Sequence, residues 1–390
     1  MRGLTPHYVG VKSNNKLVAT ALLLQKHLPF GYSYFYSPRG FVMDFNNQEL
    51  LEFITKGIKE FTKKKKGIFV KVDPDIKLHN LDIEGNVIDD GFNNYKLIEI
   101  LKQLGYRHLG FNKNFEGTQP RYTFRLDLEK SLEEIRANMH STTRKIINRD
   151  NPYGLQVKFG SKEDIKEFYE LMKITSKRDD FISDSYEYYY NFFDILSGHK
   201  MSDFYYIKVN IKKMIDKTKN MLDEVLIKIK EIPEDNKKLK GKRNDLIDQQ
   251  TKLEKNLKEY ESYLKEYPEE VMITGILTVK YGNKVWTIHG GNYDIFRSLN
   301  ANYILYYQIL IDAKEQGYEV MDFFGTTGDS NPNNKVYGIH LFKKRFVGEY
   351  TEFIGEFDLV LRPILYYLFL ITIPPARKLK RFIRKLIKNR

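Results

Sequence analysis

The sequence predicts a protein of mixed α and β structure, built from two domains with a long helical hairpin inserted in the second. Its 390 residues suffice for two domains, and 42% of them are hydrophobic, as in globular proteins. One succession of hairpin, helix and strand occurs near residues 8–72 and again near 271–324, which indicates a weak internal repeat. Residues 210–267 differ from both copies, because they combine mixed charges with a heptad spacing of apolar residues.

The first domain is predicted over residues 1–129 and opens on a hairpin. A strand over 32–44 follows, and the Pro38-Arg39-Gly40 run inside it indicates a bulge or an approach of the backbone to a ligand. The other predicted elements are strands at 8–11, 16–24, 67–72, 106–111 and 121–128 and helices at 48–65 and 95–104.

The second domain is predicted on both sides of the helical hairpin, over residues 130–209 and 268–360. Its predicted helices cover 132–147, 162–178, 185–196 and 299–316, and its strands cover 156–159, 204–209, 271–280, 284–290 and 319–324.

The hairpin at 210–267 has the spacing of an antiparallel coiled coil. Apolar residues recur every seven positions from Ile211 to Ile232 and again from Leu239 to Tyr267, with a predicted turn near 233–240. From 211 to 267 there are 15 Lys and Arg against 12 Asp and Glu, a small surplus for a rod that binds phosphates. Contacts with nucleic acid and contacts with protein therefore both stay open for this arm.

The net charge of +13 is concentrated in the C-terminal tail, residues 361–390, where 376–390 hold eight cations and no acid. An apolar run at 364–373 is too short to cross a bilayer, and the following residues have helical spacing. This pattern predicts a helix lying in the headgroup layer of a membrane. A helix packed on the protein and a tail that binds RNA are the alternatives. The candidate membrane residues are Arg377, Lys378, Arg381, Phe382, Arg384 and Lys385.

The chain has no cysteine, so disulfides and thiolate catalysis are excluded. No signal-peptide pattern opens it, and no apolar run reaches the roughly 18 residues of a membrane span. We therefore expect a cytoplasmic protein associated peripherally with the inner face of the plasma membrane. The eight histidines are scattered without ligand spacing, so no metal site is predicted.

The segment from Met321 to Leu359 carries the strongest functional pattern. An apolar strand ends in a loop rich in Gly, Asp, Asn and Ser, and residues 338–346 then set three cations among large apolar side chains. A returning strand is predicted at 349–359. We interpret 338–346 as a basic, aromatic turn that could hold an acidic substrate at the end of a sheet.

This segment resembles the C-terminal signature of the FemABX family of peptidoglycan aminoacyltransferases. The matching runs are Asp322-Phe323-Phe324-Gly325 with Gly328-Asp329, Tyr337-Gly338 with Phe342-Lys343-Lys344, and Gly355-Glu356-Phe357-Asp358. The resemblance implies two GNAT-like acyltransferase domains that move an amino acid from aminoacyl-tRNA onto the stem peptide of a lipid-linked precursor, of the lipid II type. It also implies partners at the inner membrane surface, with other Fem-type transferases among them, and no cofactor besides the tRNA co-substrate.

The resemblance also bears on the two ends of the architecture. Family members usually carry a further helix and strand before the first hairpin, so we expect the first domain to be short at its front. The helical arm resembles that of seryl-tRNA synthetases, which holds tRNA.

The matching motif makes Lys343 the candidate catalytic residue, with Phe342 as its aromatic partner. An aminoacyl ester is already activated, so no protein nucleophile is needed, and a cation can stabilise the oxyanion or the leaving 3′ oxygen. The alternative for Lys343 is a solvated lysine in a basic run.

Arg178 matches the family's Arg-Asp-x-Phe segment and could bind a carboxylate or phosphate with its forked guanidinium. Its alternative is a cation at a helix C terminus. Arg39 and Asp44 match a Pro-Arg-Gly-Phe-Val-x-Asp run, and their alternatives are a structural bulge and a carboxylate at a helix approach. The remaining substrate-binding candidates are Asp322, Gly325 and Tyr337, and the candidates for tRNA phosphates are Arg144, Lys145 and Arg149. A tight turn and a solvated helix face are the respective alternatives.

Two other functions remain open. Acetyl-CoA-dependent GNAT enzymes hold the coenzyme diphosphate on an R/Q-x-x-G-x-G/A turn at a helix N terminus. Residues 297–302 occupy the corresponding place and contain no glycine, which speaks against CoA. A non-catalytic protein that binds a membrane surface is the other alternative.

Overall fold

The computed structural model describes residues 3–149, 151–234 and 238–372. The strands are β1 (Thr5–Ser13), β2 (Lys16–His27), β3 (Ser33–Ser37), β4 (Gly67–Val72), β5 (Lys77–Asn80), β6 (Tyr106–His108), β7 (Tyr122–Asp127), β8 (Val157–Phe159), β9 (Phe204–Asn210), β10 (Glu270–Tyr281), β11 (Lys284–Asn292), β12 (Val320–Asp322), β13 (Glu349–Phe353) and β14 (Phe357–Val360). The helices are α1 (Gln48–Lys64), α2 (Tyr95–Gln103), α3 (Leu132–Asn138), α4 (Ser141–Ile147), α5 (Ile165–Arg178), α6 (Tyr186–Gly198), α7 (Ile211–Lys230), α8 (Lys240–Glu266), α9 (Ala301–Glu315) and α10 (Tyr337–Lys344). Residues 363–372 are also helical.

The described chain divides into two compact units. The first contains residues 3–125, 324–344 and 348–372, and the second contains 126–323 and 345–347. The sequence-based division assigned all of 268–360 to the second domain. Residues 324–344 and 348–360 belong to the first unit here, because β13 and β14 pair with its strands.

The first unit is built on a six-stranded sheet with the order β1-β2-β3-β4-β14-β6. Strands β3 and β4 are parallel, and α1 connects them. The spacing of Leu51, Ile54 and Ile58 puts them on one face of α1, where all three are buried in the core of this sheet. In the same unit β13 pairs with β5 and β7, both antiparallel.

The second unit contains the strand order β12-β11-β10-β9-β8. Helix α9 connects the parallel neighbours β11 and β12, as α1 connects β3 and β4 in the first unit. Each of these helices follows an antiparallel hairpin, so the predicted repeat of hairpin, helix and strand is confirmed. An aromatic core around Phe168, Tyr189 and Phe204 joins α5 and α6 to the sheet.

The predicted helical hairpin is confirmed as α7 and α8, which pack against each other in the second unit. The seam positions Ile211, Thr218, Val225 and Ile232 are all buried. Leu253 and Tyr260 are the buried positions of the second helix. The supercoil of a coiled coil stays a prediction.

Two predictions for the segment after β12 were wrong. The basic, aromatic turn is helix α10, because residues 337–344 contain no proline and the side chain of Asn334 accepts the Val336 N–H just before the helix. The single strand predicted at 349–359 is two strands that belong to different sheets. The extended conformation is interrupted between the two strands at Gly355, whose φ of 97° is favourable for glycine but not for other residues. The strand predicted over 32–44 is likewise shorter and ends at Ser37, two residues before Arg39 takes a left-handed φ of 50°.

None of the helices within the described ranges is long and apolar enough to cross a bilayer. The candidate membrane residues of the tail, 377–385, lie outside those ranges.

Candidate functional site

A small cleft in the first unit brings together residues that lie far apart in the sequence. Its volume is about 10 Å³, about that of one ordered water. The side chains that matter for chemistry are Arg39, Asp73, Arg121, Phe353 and Glu356. Of these, only Arg39 was predicted from the sequence.

Asp73 is a buried carboxylate at the C-terminal end of β4. It accepts a hydrogen bond from the backbone N–H of Arg39 at 2.7 Å and one from the Tyr36 hydroxyl at 2.8 Å. Burial raises the pKa of Asp73 to about 6, against the opposing charge of Arg39. A carboxylate with a pKa near neutrality can accept a proton from an amine, which is the property of a general base. Asp73 could have been identified in the sequence as an acidic residue that directly follows an apolar strand.

Arg39 occupies the other side of the cleft. Its guanidinium donates to the carbonyl oxygen of Pro120 at 2.7 Å and lies 4.3 Å from the ring centroid of Phe353. This stacking leaves a cation at the edge of the cleft, where an anionic group of a substrate can reach it. Asp44 is exposed and accepts the N–H of Asn46, so its contact is that of a carboxylate before a helix.

Arg121 is held in the cleft wall by a buried polar network that the sequence did not indicate. Its guanidinium pairs with Glu352 and donates to the carbonyl oxygen of Phe353 at 3.1 Å. Glu352 also accepts the Tyr122 hydroxyl at 2.7 Å and contacts Nε2 of His79 at 2.7 Å. Burial lowers the pKa of His79, and the charge of Arg121 lowers it further. The network holds the Arg121 guanidinium in the cleft wall, with its charge paired by Glu352.

Lys343 is buried in α10 and lies on the same unit as the cleft. Its ammonium donates to the carbonyl oxygen of Phe324 and, at 2.7 Å, to that of Gly325. The alternative of a solvated surface lysine is therefore wrong. Phe342, beside it, is half-buried.

Gly325 links this lysine to the cleft. Its φ is 44°, and a Cβ placed there would lie 2.9 Å from the side chains of both Phe115 and Pro120. Only glycine fits so close an approach. Because Pro120 lines the cleft and accepts a hydrogen bond from Arg39, a continuous set of contacts leads from Lys343 to Arg39. Tyr337 is the first residue of α10, and its ring stacks on that of His340 with centroids 6.2 Å apart.

Two predicted substrate-binding residues lie in the second unit. Arg178 ends α5 and pairs with Asp179 at 2.7 Å, and its guanidinium also donates to the carbonyl oxygen of Asn292 at 3.0 Å. Asp322 is buried at the end of β12, where it is in register with Trp286 of β11.

The three candidate tRNA contacts differ in their surroundings, and a role in binding tRNA stays a prediction for them. Arg144 donates to the carbonyl oxygens of Ala137 and Met139 and so satisfies the end of α3. Lys145 is exposed. Arg149 lines a cavity of about 470 Å³ in the second unit, together with Lys252 of the arm. The same cavity is bordered by residues 298–300, which lead into α9 through Asn300 in a left-handed conformation.

The chain was compared with known protein families, proteins and structures. The FemAB family matches residues 1–372. The lipid II:glycine glycyltransferases of Staphylococcus aureus strains MRSA252 and USA300 are each 30% identical over 392 aligned residues, which cover 98% of this chain and 90% of theirs. A crystal structure of FemX superposes with a TM-score of 0.70 and 29% identity, over 94% of this chain and 90% of that chain.

These relatives decide three expectations from the sequence. The likeness to FemX confirms the mixed α/β fold, and the GNAT-like character of the two domains stays an expectation from the resemblance. The glycyltransferases confirm that the protein is an enzyme of the transferase class. From the family match over residues 1–372 and the identity to its relatives, we conclude that the chain belongs to the FemAB family.

Proposed function

We propose that this protein transfers an amino acid from aminoacyl-tRNA to a stem-peptide amine of a lipid-linked peptidoglycan precursor, in the synthesis of the interpeptide bridge. The observation that carries the proposal is the 30% identity, over 98% of the chain, to enzymes named lipid II:glycine glycyltransferase. Glycine is accordingly the first donor residue to test.

The cleft of the first unit supports the acceptor half of this reaction. The amine must lose a proton to attack the ester carbonyl, and Asp73, with its pKa of about 6, takes that proton. A C–N bond forms while the C–O bond to the 3′ oxygen of the tRNA breaks, and the proton passes to that oxygen as it leaves. Arg39, at the cleft edge, binds an anionic group of the precursor.

Lys343 supports the part of the reaction that takes place at the ester of the aminoacyl-tRNA. Negative charge develops on the carbonyl oxygen and then on the leaving 3′ oxygen, and a buried cation stabilises both more strongly than one in water. The contacts through Gly325 and Pro120 tie this charge to the loop beside Arg39. No cofactor takes part in this scheme, and the acceptor places the enzyme at the inner face of the plasma membrane, with other Fem-type transferases as possible partners in bridge synthesis.

One experiment tests donor and acceptor together. The full chain is incubated with a pool of charged tRNAs and a lipid-linked muropeptide, and the product is weighed by mass spectrometry. The expected result is a mass increase of one amino-acid residue, which ribonuclease treatment of the tRNA pool before mixing abolishes. An unchanged acceptor mass under these conditions contradicts the proposal.

The cavity beside residues 298–300 favours a second candidate, an acyl-CoA donor. It lies at the N-terminal end of α9, has a volume of about 470 Å³ and is flanked by the cations Arg149 and Lys252. Acetyl-CoA in place of charged tRNA therefore belongs in the same assay. An acetyl increment on the acceptor selects this candidate.

A further inference from the structure

The helical segment 363–372 is apolar on two opposite faces, and the residues that the structure describes cover one of them. On the covered face Tyr366 is buried, with its ring 5.2 Å from that of Phe69, and Phe369 lies 5.0 Å from the same ring. The open face consists of Ile364, Tyr367, Leu368 and Ile371, which are 85%, 59%, 50% and 70% exposed. Positions i, i+3, i+4 and i+7 form one continuous stripe on a helix, so this is an exposed apolar surface of the first unit.

Phe30 is a further exposed apolar side chain of the first unit. It is 93% exposed at the tip of the turn Pro29–Gly31, and its φ of 60° is unusual for a bulky residue. The residues on either side of the turn, Leu28 and Tyr32, pack into the aromatic cluster that also holds the covered face of 363–372. The fold therefore presents the Phe30 ring to solvent next to a helix that does the same with its own apolar stripe.

Cations surround this surface. The ammonium of Lys66 lies 3.8 Å from the position that a Cβ of Gly31 would take, and it is the last of four successive lysines, 63–66. Arg362 directly precedes the helical segment, with its guanidinium 5.9 Å from the ring centroid of Tyr32. In the sequence, residues 376–390, outside the described ranges, hold eight further cations and no acid. An apolar face with a basic border is complementary to an anionic lipid surface.

We propose that the face formed by Phe30, Ile364, Tyr367, Leu368 and Ile371 docks on an anionic phospholipid membrane. The apolar side chains enter the boundary between headgroups and acyl chains, the Tyr367 ring lies at headgroup level, and Lys66 and Arg362 contact lipid phosphates. This inference rests on the proposed function, because a lipid-linked acceptor is presented at such a surface. Docking of this face differs from a purely electrostatic attraction of the basic tail, because it requires the apolar side chains of the 363–372 helix.

Vesicle flotation of the full chain tests the face directly. The wild-type protein is expected to float with phosphatidylcholine vesicles that contain phosphatidylglycerol, and far less with phosphatidylcholine alone. The Ile364→Glu/Ile371→Glu variant keeps every cation and should lose at least about tenfold in partitioning. The matched control is Ile195→Glu/Ile227→Glu, which changes two isoleucines of 54% and 57% exposure in the second unit and should float as the wild type does. Partitioning of the Ile364→Glu/Ile371→Glu variant within twofold of the wild type overturns the proposal.

A fluorescent label distinguishes docking from misfolding and from coverage of the face by the tail. The chain has no cysteine, so Ile364→Cys carries a single environment-sensitive maleimide dye. We expect its emission to shift to the blue on addition of anionic vesicles, while the same dye at Ile195→Cys does not respond. A dye at Ile364→Cys that is blue-shifted before vesicles are added and unchanged afterwards shows that another part of the chain covers the face, and this overturns the proposal.

The transfer assay separates failure of this inference from failure of the proposed function. If both are right, Ile364→Glu/Ile371→Glu retains transfer to a water-soluble muropeptide that lacks the lipid chain, and it loses transfer to the precursor in vesicles. Vesicle binding without any amino-acid transfer supports docking and contradicts only the proposed reaction. Equal transfer to both acceptors by this variant contradicts docking alone.

Discussion

The ammonium of Lys343 donates a hydrogen bond to the carbonyl oxygen of Gly325 at 2.7 Å, from a side chain that is almost fully buried. A buried cation is rarely placed without a strong acceptor or a function, because its desolvation is costly. Here the acceptors are backbone carbonyls of the loop that also touches the cleft at Pro120. Lys343 is thus held by backbone carbonyl groups, and contacts through Gly325 and Pro120 connect it to the cleft.

Lys343→Met should lower kcat for aminoacyl transfer at least tenfold, because it removes the positive charge proposed to stabilise the oxyanion. It should also lower the free energy of unfolding by about 1–3 kcal/mol, since two buried carbonyl oxygens lose a donor. Steady-state kinetics and urea unfolding measure the two effects separately. Lys344→Met is the control, because the neighbouring lysine pairs with Glu84 and should affect neither quantity strongly. A kcat near the wild-type value in the folded Lys343→Met protein removes this residue from the mechanism.

Asp73→Asn should reduce kcat/KM by about 100-fold or more, in the range of general-base catalysis. In the wild type the rate should rise with pH through about 6, as the carboxyl group loses its proton, and this limb should disappear in the variant. Asp75→Asn, two residues away and paired with Arg125, should keep the limb. The same pH dependence in Asp73→Asn would assign the limb to another group.

The raised pKa of Asp73 also has a consequence for stability. The folded protein binds this proton more tightly than the unfolded chain, whose reference pKa is 3.8. The contribution of Asp73 to the free energy of unfolding is therefore largest below about pH 4 and decreases as the pH rises through about 6. Urea unfolding of the wild type and Asp73→Asn at several pH values should show a difference that changes in this window. A difference that is constant with pH would argue against the raised pKa.

Glu352→Gln should destabilise the protein by about 3–5 kcal/mol, because it leaves the buried guanidinium of Arg121 without its carboxylate. Glu349→Gln is the matched control. Its partner Lys77 is more exposed, and such surface pairs contribute only about 0–1 kcal/mol. Equal midpoints of urea unfolding for the two variants would show that the buried network does not neutralise Arg121.

Arg178→Gln should raise the KM for the muropeptide about tenfold with little change in kcat, if the guanidinium binds an anionic group of the acceptor. Asp179→Asn removes the carboxylate that now pairs with Arg178 and should lower that KM or leave it unchanged. A lower melting temperature for Arg178→Gln with an unchanged KM would support the structural alternative, a cation at the end of α5.

Elements with strong local patterns could be predicted from the sequence. The helical hairpin follows from seven-residue spacing, and Ile211, Thr218 and Val225 are buried as that spacing requires. Helix α1 follows from its apolar face and begins at the Asn47 cap. The family motif located Lys343, but its burial could not be predicted, since the carbonyl groups that accept its hydrogen bonds are about 18 residues away.

The cleft was missed because its parts come from distant segments. Asp73 and Glu356 lie in distant parts of the sequence, at positions 73 and 356, and no local period connects them. The His79–Glu352 contact spans 273 positions. Helix α10 was missed because three cations and several aromatic residues were interpreted as a substrate-binding turn, although 337–344 contain no proline and their one glycine, Gly338, lies in the first turn.

Strand β14 lies between β4 and the edge strand β6 of the six-stranded sheet, yet it comes from residues 357–360. The first unit therefore cannot complete its sheet until nearly all of the chain has left the ribosome. Fragments that end before β14 lack the strand that joins β4 to β6, so the edges of β4 and β6 are left open to pairing with other chains. A premature stop codon late in the gene should for this reason yield aggregated protein, and the N-terminal unit should be obtainable by itself only when the last strands are supplied with it.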